Sequence, residues 1–239
     1  MDKYKVQYEW LQKHLNGENV SVERLKAEGL WLSGVLGDLE FEKQNAEISE
    51  FAEKINAKNI GERVEDVVID LRVDDCRLVG KLSNCHENGG LLYRYTSLKG
   101  KDFLAALLHH LVVNQVSPQA TYLFSRNDKE PKLDELIFSP ELAANDLLVD
   151  LLKIYRNGLQ HPEAFFTEAM LAYLKRVKKS KFDAFNAAQN ALNFALDKDY
   201  EPELRRLFDE EKIALALNNG DFETQCEKFL PIWNALVNE

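Results

Sequence analysis

The chain has 239 residues, 45% of them hydrophobic, and a formal net charge of −10 at pH 7. This composition supports a sizeable core and excludes wholesale disorder, and no apolar run approaches the ~20 residues that a helix needs to cross a bilayer. The negative balance argues against autonomous tight binding of nucleic acid, because phosphate neutralisation dominates the affinity of such binders. A negative net charge is still compatible with a local basic patch, or with a DNA channel that this chain forms together with other subunits.

The N-terminal residues and the small number of cysteines predict a cytoplasmic protein. The first residues, MDKYKVQYEW, lack the apolar segment of a signal peptide, so we expect a cytoplasmic location and no membrane partner. Cys76, Cys85 and Cys226 are too few for a disulfide framework. No C-x-x-C pair supports a zinc site, and we expect no metal and no other cofactor.

Residues 1–60 predict a helical N-terminal part. Apolar residues recur at helical spacing in YKVQYEWLQKHLN, and Gly17 ends this helix. A second, short helix ends at Gly29, and LWLSGVLG is predicted to be a loop or turn. A longer helix is expected from about Leu39 to Ala57.

Residues 65–97 predict a three-stranded meander. DVVIDLRV alternates apolar and polar residues, as a half-buried strand does. Asp74-Asp75 forms a tight turn into the second strand, RLVGKLS. Asn88-Gly89 is the strongest hairpin signal in the chain, and it leads into the third strand, GLLYRYTS.

A crossover helix and further strands complete the predicted core. KDFLAALLHHLVVNQ has the apolar stripe of a helix, QATYLFSR follows as a fourth strand, and DELIF is a short fifth. A strand that is reached through a crossover helix usually pairs in parallel. The fold class is therefore α+β, with a small mixed β-sheet flanked by helices over residues 65–138.

Residues 139–239 are predicted to be helical to the end. Ser139-Pro140 is a helix start signal, and Asn157-Gly158 is expected to end that helix. Pro162 is expected to open the next helix and Ser180 the one after it. Pro231 should kink or split the last helix. Residues 1–239 are thus expected to form a single domain with helical N- and C-terminal lobes.

This order of elements resembles the core of the PD-(D/E)xK nucleases, which need an acid on the second strand and an acid, one spacer and a lysine on the third. The carboxylates hold Mg²⁺, which activates water. Ser83 occupies the expected place of the first acid, and Arg94 and Thr96 occupy the places of the acid and the lysine. Arg94 puts a positive charge where the cation would bind, so the resemblance implies a degenerate site with no catalytic residue.

Longer stretches resemble the C-terminal domain of RecC, the gamma subunit of exodeoxyribonuclease V (RecBCD). They include LKAEGLWLSGVLG, VGKLSNCHENGGLLYRYTSLKGKDFLAALLHHLV and the closing FLPIWNALVNE. The resemblance implies a nuclease-like domain that does not cut DNA. It implies RecB and RecD as partner subunits, with packing against RecB, and a role in splitting a double-stranded DNA end and channelling the separated strands. RecC is several times longer, so the chain would be one domain of it.

Two other functions stay open from the residues alone. Asp66, Asp70, Asp74 and Asp75 surround the first hairpin, either as a solvated face or as the rearranged metal site of an atypical divalent-metal-dependent DNA exonuclease. A protein-interaction module without DNA contact is the third class. His109-His110 has no nucleophile or acid spaced with it, so catalysis there is not expected.

The lysines that are candidates for DNA contact fall into two sets in the sequence. Lys81, Lys99 and Lys101 flank the degenerate site and face a DNA backbone in this interpretation. The second set lies in KRVKKSK, where the basic residues either contact phosphates or complement the helix macrodipole. Its members are Lys175, Lys178 and Lys179.

Overall fold

A computed structural model describes residues 3–127, 132–141, 143–161, 165–198 and 202–236. In chain order the N-terminal helices are α1 (Lys3–Leu15), α2 (Val22–Ala27) and α3 (Val35–Asn56). The middle of the chain contains β1 (Val67–Val73), β2 (Cys76–Leu82), β3 (Cys85–His86), β4 (Gly89–Arg94), α4 (Gly100–Val116), β5 (Thr121–Asn127) and β6 (Lys132–Phe138). The helices that follow are α5 (Ala144–Gln160), α6 (Thr167–Val177), α7 (Lys181–Asp197), α8 (Pro202–Leu207), α9 (Glu210–Asn218) and α10 (Asp221–Leu236).

The strands form two small sheets flanked by helices, so the α+β class is confirmed. Strands β3, β4, β5 and β6 form a four-stranded sheet in that order. Strand β4 pairs with β5 in parallel, with Leu92 opposite Leu123, while the other neighbours are antiparallel. The parallel pairing through crossover helix α4 is as predicted.

The predicted three-stranded meander is wrong, because β1 and β2 form a separate two-stranded sheet. Strand β2 ends at Leu82, and Asn84 then takes a left-handed conformation with φ 63°, which turns the chain away from the hairpin. The two residues of β3 then pair with β4, with Cys85 opposite Gly90. A hairpin turn does form here, but its two turn residues are Glu87 and Asn88, Gly89 already belongs to β4, and the first strand of the hairpin is β3.

Several predicted helix boundaries also differ. Helix α3 begins at Val35 rather than Leu39, because Gly34 provides a positive φ of 93° at its N-cap. Helix α5 begins at Ala144, since the preceding segment is tied to α4 by the backbone N–H of Glu141, which donates to Oδ1 of Asn114 at 3.0 Å. The same helix continues through Gly158 to Gln160.

In the C-terminal part, Ser180 caps α7 as predicted, its Oγ accepting from the backbone N–H of Asp183 at 3.2 Å. Helix α10 runs through Pro231 without splitting. The expected helix start at Pro162 lies outside the described residues.

The four-stranded sheet is buried on both faces by two apolar cores. Leu123 of β5 belongs to the core that the sheet forms with α4 and the C-terminal helices. Its neighbour Phe124 belongs to the second core, which α1, α2 and α3 form against the opposite face together with Leu91 and Tyr95. Alternation along a strand sends successive side chains to opposite faces, so neighbouring residues in the middle of β5 are both buried, each in a different core.

No helix within the described residues is long and apolar enough to cross a membrane.

Candidate functional site: a cleft at the end of strand β4

Two of the three residues of the degenerate site predicted from the sequence, Arg94 and Thr96, line a cleft of about 390 Å³. The floor of the cleft is the C-terminal end of β4, the strand that pairs in parallel with β5. Its walls come from α1 and α4. The C-terminal ends of parallel strands are where open sheets usually place ligand sites. The lining residues are Gln7, Tyr8, Leu92, Tyr93, Arg94, Tyr95, Thr96, Asp102, Ala105 and Leu123.

Arg94 is held at the cleft by two hydrogen bonds. Its Nε donates to Oγ1 of Thr96 at 2.6 Å, and its Nη1 donates to the carboxylate of Asp102 at 2.8 Å. Arg94 ends β4 and Thr96 follows the strand, so the two predicted site residues do meet. The side chains of Arg94 and Asp102 are 31% and 22% exposed, which places this ion pair at the wall of the cleft rather than in bulk solvent.

Asp102 lines the cleft but is not among the site residues predicted from the sequence. It lies in the first turn of α4, where its carboxylate also accepts the backbone N–H of Lys99 at 3.2 Å. A carboxylate three residues after an N-cap is a recognised capping signal, and this signal was available from the sequence. Among the described residues that line the cleft, Asp102 is the one carboxylate.

This set of side chains does not fit the divalent metal of an active PD-(D/E)xK site. Mg²⁺ is bound through one or two carboxylates together with water and substrate oxygens. Here the carboxylate of Asp102 is already neutralised by Arg94 at 2.8 Å. A guanidinium about 4 Å from a cation opposes it by about 4 kcal/mol per unit charge at an effective dielectric of 20.

Ser83 is not brought into the cleft. It follows the separate hairpin, its side chain is exposed, and its backbone oxygen lies 2.8 Å from Nε2 of the buried His109. The predicted partnership of Ser83 with Arg94 and Thr96 is therefore not formed, because β2 does not join the sheet that contains β4.

Tyrosines form the remaining walls of the cleft. Tyr93 stacks on Tyr8 of α1 with ring centroids 5.8 Å apart, and its hydroxyl accepts from Nε2 of Gln12. Burial and the neighbouring Tyr8 raise the pKa of Tyr93 above its usual value. Burial also raises the pKa of Tyr95, to about 12, and the guanidinium of Arg126 lies 5.0 Å from the centroid of the Tyr95 ring. Both phenols are therefore neutral hydrogen-bonding groups at physiological pH.

The candidate DNA-contacting lysines do not form one patch. Lys99 is half-buried and Lys101 exposed at the start of α4, where the Gly100 N–H donates to Oε1 of Glu168 at 3.1 Å, next to the start of α6. Lys178 lies about 15 Å further along the α6 axis, at a rise of about 1.5 Å per residue. Lys175 and Lys179 share that end of α6 and are exposed, as is Lys81 on the separate hairpin.

The acidic residues around the hairpin are each paired with an arginine. Asp66 lies 3.3 Å from Arg63, and Asp70 accepts two hydrogen bonds from Arg77 at 2.7 and 2.8 Å. Arg156 of α5 contacts both remaining acids, Asp74 at 3.5 Å and Asp75 more closely. These hydrogen bonds lower the pKa values of Asp70 and Asp75. Within the described ranges, no group of three or more histidine, cysteine and acidic residues is arranged to hold a metal ion.

A comparison with family models matches residues 1–178 to the RecC C-terminal domain. The match covers the N-terminal helices, both sheets, the cleft and α6, so the chain belongs to the RecC C-terminal domain family, as its resemblance to RecC predicted. It is thus a domain of the RecC type, which places it in the context of DNA recombination and repair by the RecBCD complex. No curated protein matches the chain.

Proposed function

We propose that this chain is a non-catalytic domain of a RecC subunit that takes part in DNA binding, strand separation and subunit scaffolding in a RecBCD-type helicase-nuclease. Its partners are the RecB and RecD subunits, a double-stranded DNA end and the separated single strands. Its core is a degenerate PD-(D/E)xK fold whose catalytic acids have been replaced. The observation that carries the proposal is the ion pair of Arg94 with Asp102 at the cleft.

The arrangement of the four-stranded sheet supports a nuclease-like origin of the core. A hairpin made by β3 and β4 is followed by a crossover helix and a parallel strand, and the cleft lies at the end of β4. The position of Arg94 corresponds to that of an acid on the third strand of an active enzyme. The family match supports the setting in a multisubunit enzyme.

Incubation of the full chain with linear duplex or single-stranded DNA should give no cleavage with either Mg²⁺ or Mn²⁺. The reason is that the one carboxylate of the described cleft lining is bound to Arg94, so a metal ion lacks an anionic site. The measurement is gel analysis of end-labelled DNA, with an active metal-dependent nuclease as the positive control.

Cleavage that disappears in Asp102→Ala would contradict the proposal and restore the cleft as an active site. Cleavage that disappears in Asp70→Ala or Asp75→Ala instead would favour the atypical exonuclease. Cleavage that survives all three substitutions and co-purifies with the chain would place an active site elsewhere and would also contradict the proposal.

In a complex reconstituted with the helicase-nuclease partners, charge reversal of both Lys99 and Lys101 should weaken DNA-end binding several-fold. Each lysine that faces a phosphate releases counterions on binding, so the slope of log K against log salt should also fall by about 0.7 to 0.9 per lost contact. The measurement is a salt titration of DNA-end affinity by fluorescence anisotropy.

The matched comparison is reversal of Lys178 and Lys179, also two lysines, which lie at the other end of α6. If DNA-end affinity falls only when Lys178 and Lys179 are reversed, alone or together with Lys175, the DNA contact lies at that end of α6 instead. Unchanged affinity and salt slope for both pairs and for Lys81 would favour a protein-interaction module.

A further inference from the structure

We infer that the cleft at the end of β4 binds one unstacked nucleotide of single-stranded DNA, its base against Tyr8 and its phosphate on the side of Arg94, Lys99 and Lys101. This inference rests on the proposed function and deepens it, because it names a contact with the separated strand. It also gives the former catalytic cleft a role as a binding site.

Tyr8 provides a stacking surface that is fixed but not covered. One face of its ring lies against Tyr93, yet Tyr8 is 47% exposed and lines the cleft. The hydroxyl of Tyr93 accepts a hydrogen bond from Gln12, so the stacked rings of Tyr8 and Tyr93 are already positioned in the absence of a ligand. Aromatic side chains presented in this way are the usual platforms for bases of single-stranded DNA, since every base has a π-face.

The charges around the cleft favour a phosphate. The side chain of Lys99 interacts electrostatically with Arg94 and Lys101, and with the acids Glu168 and Asp102. Of these groups Arg94 and Asp102 line the cleft and pair with each other, while Lys99 and Lys101 lie beside it at the start of α4. A phosphate on that side of the cleft would therefore meet three cations. Arg94 is also pre-positioned, because Thr96 and Asp102 hold its guanidinium.

Size and stacking together select a single strand. A volume of about 390 Å³ lies within the range of pockets for small ligands, about 300–1,000 Å³. A base within a duplex is stacked on both faces and paired at its edge, so its transfer to Tyr8 costs a few kcal/mol that a base in a separated strand does not require. The lining is largely apolar apart from Gln7, Arg94, Thr96 and Asp102, which suits a base better than a fully hydrated ion.

The test compares a fluorescein-labelled oligothymidylate with an abasic oligonucleotide of the same length, both titrated with the full chain and followed by anisotropy. Oligothymidylate should bind roughly tenfold more tightly than the abasic strand, within the range measured for base–aromatic stacking. Tyr8→Ala should remove most of that difference, and Tyr8→Phe, which retains the ring, should preserve most of it. Tyr155→Ala is the control, because Tyr155 is 63% exposed on α5 and does not line the cleft.

Equal affinity for the two strands, no binding of oligothymidylate, or an unchanged preference in Tyr8→Ala would overturn the inference. Stronger competition by free ATP than by oligothymidylate would also overturn it, in favour of a free-nucleotide site. None of these results touches the proposed function, which depends on the absence of cleavage and on DNA-end binding by the reconstituted complex. Conversely, metal-dependent cleavage lost in Asp102→Ala would remove the proposed function even if Tyr8 stacks on a base.

Discussion

Gly100→Ala should lower the free energy of unfolding by about 3 kcal/mol or more, at the upper end of what overpacking costs. A Cβ atom at this position would lie 2.1 Å from the backbone oxygen and 2.2 Å from the carbonyl carbon of Thr167. Both atoms belong to the backbone, so no side chain can rotate away, and α4 must separate from α6. Urea denaturation followed by circular dichroism measures the difference.

Gly158→Ala is the matched control for this substitution. Gly158 also lies in a helix, but a Cβ atom there would meet nothing within 4 Å. Since alanine restricts the unfolded chain and favours the helix, this variant should be more stable than wild type by about 0.5–1 kcal/mol. Similar stabilities for the two variants would show that α4 and α6 do not approach as closely as described.

The chain should lose about 2 kcal/mol of stability between pH 7.5 and pH 5 through His110 alone. Burial lowers the pKa of His110 to about 4, and His109 acts in the same direction, while a backbone hydrogen bond at Ser139 opposes them. The unfolded chain takes up a proton near the ordinary pKa of about 6.5, whereas the folded chain does not. The stabilising contribution is therefore complete above the unfolded pKa of about 6.5. It falls progressively below that pH and is lost once the pH has passed through the folded pKa of about 4.

The surroundings of His110 explain why it stays neutral. Its Nδ1 lies 3.2 Å from the amide nitrogen of Asn114, whose oxygen accepts the backbone N–H groups of Gln119 and Glu141 at 3.0 Å. The Asn114 nitrogen therefore donates, and its shortest bonds go to the backbone oxygens of His110 and Gln119 at 2.8 and 3.0 Å. The nearest partner of the His110 Nδ1 is the Thr121 hydroxyl at 3.0 Å. The charge of a protonated His110 would thus lie in a buried site without a carboxylate among these partners, next to Phe138, whose ring stacks on the imidazole at 5.4 Å.

Urea denaturation at several pH values tests this, with His110→Gln as the comparison. The variant should show a smaller loss between pH 7.5 and 5, with the lowered pKa of buried His109 contributing what remains. An NMR titration of the wild-type histidines gives an independent measurement if the variant is unstable. A His110 resonance that titrates near 6.5 would contradict the prediction.

The sequence allowed the class of fold and the parallel pairing of β4 with β5 to be predicted, because both depend on local signals. Alternation, the glycine- and asparagine-rich turn signal before β4 and the helical stripe of α4 can all be recognised from neighbouring residues. The grouping of strands into sheets was not predicted: between β2 and β3 the chain passes through Asn84 in a left-handed conformation. Asparagine tolerates that conformation but does not require it, so the residue alone does not reveal that β2 and β3 belong to different sheets.

The candidate site was predictable to a similar extent. Arg94 and Thr96 were identified because the spacing of two residues on a strand fixes a common side. Tyr8 and Gln12 were not, since they reach Tyr93 from α1 across 81 residues for Gln12, and no periodicity encodes such a contact. Asp102 was readable as a capping residue, but its partner Arg94 was known only once the end of β4 had been placed.

The second core, between the sheet and the N-terminal helices, sets an order of events during synthesis. Trp10, Phe41 and Ile48 are made early, yet the strand residues that cover them include Phe124, which is made much later. Until Phe124 has left the ribosome, α1 and α3 pack on each other while their remaining apolar face lacks its cover. Nascent chains in that interval are the ones most exposed to association with other unfinished chains, and they are the natural clients of a chaperone.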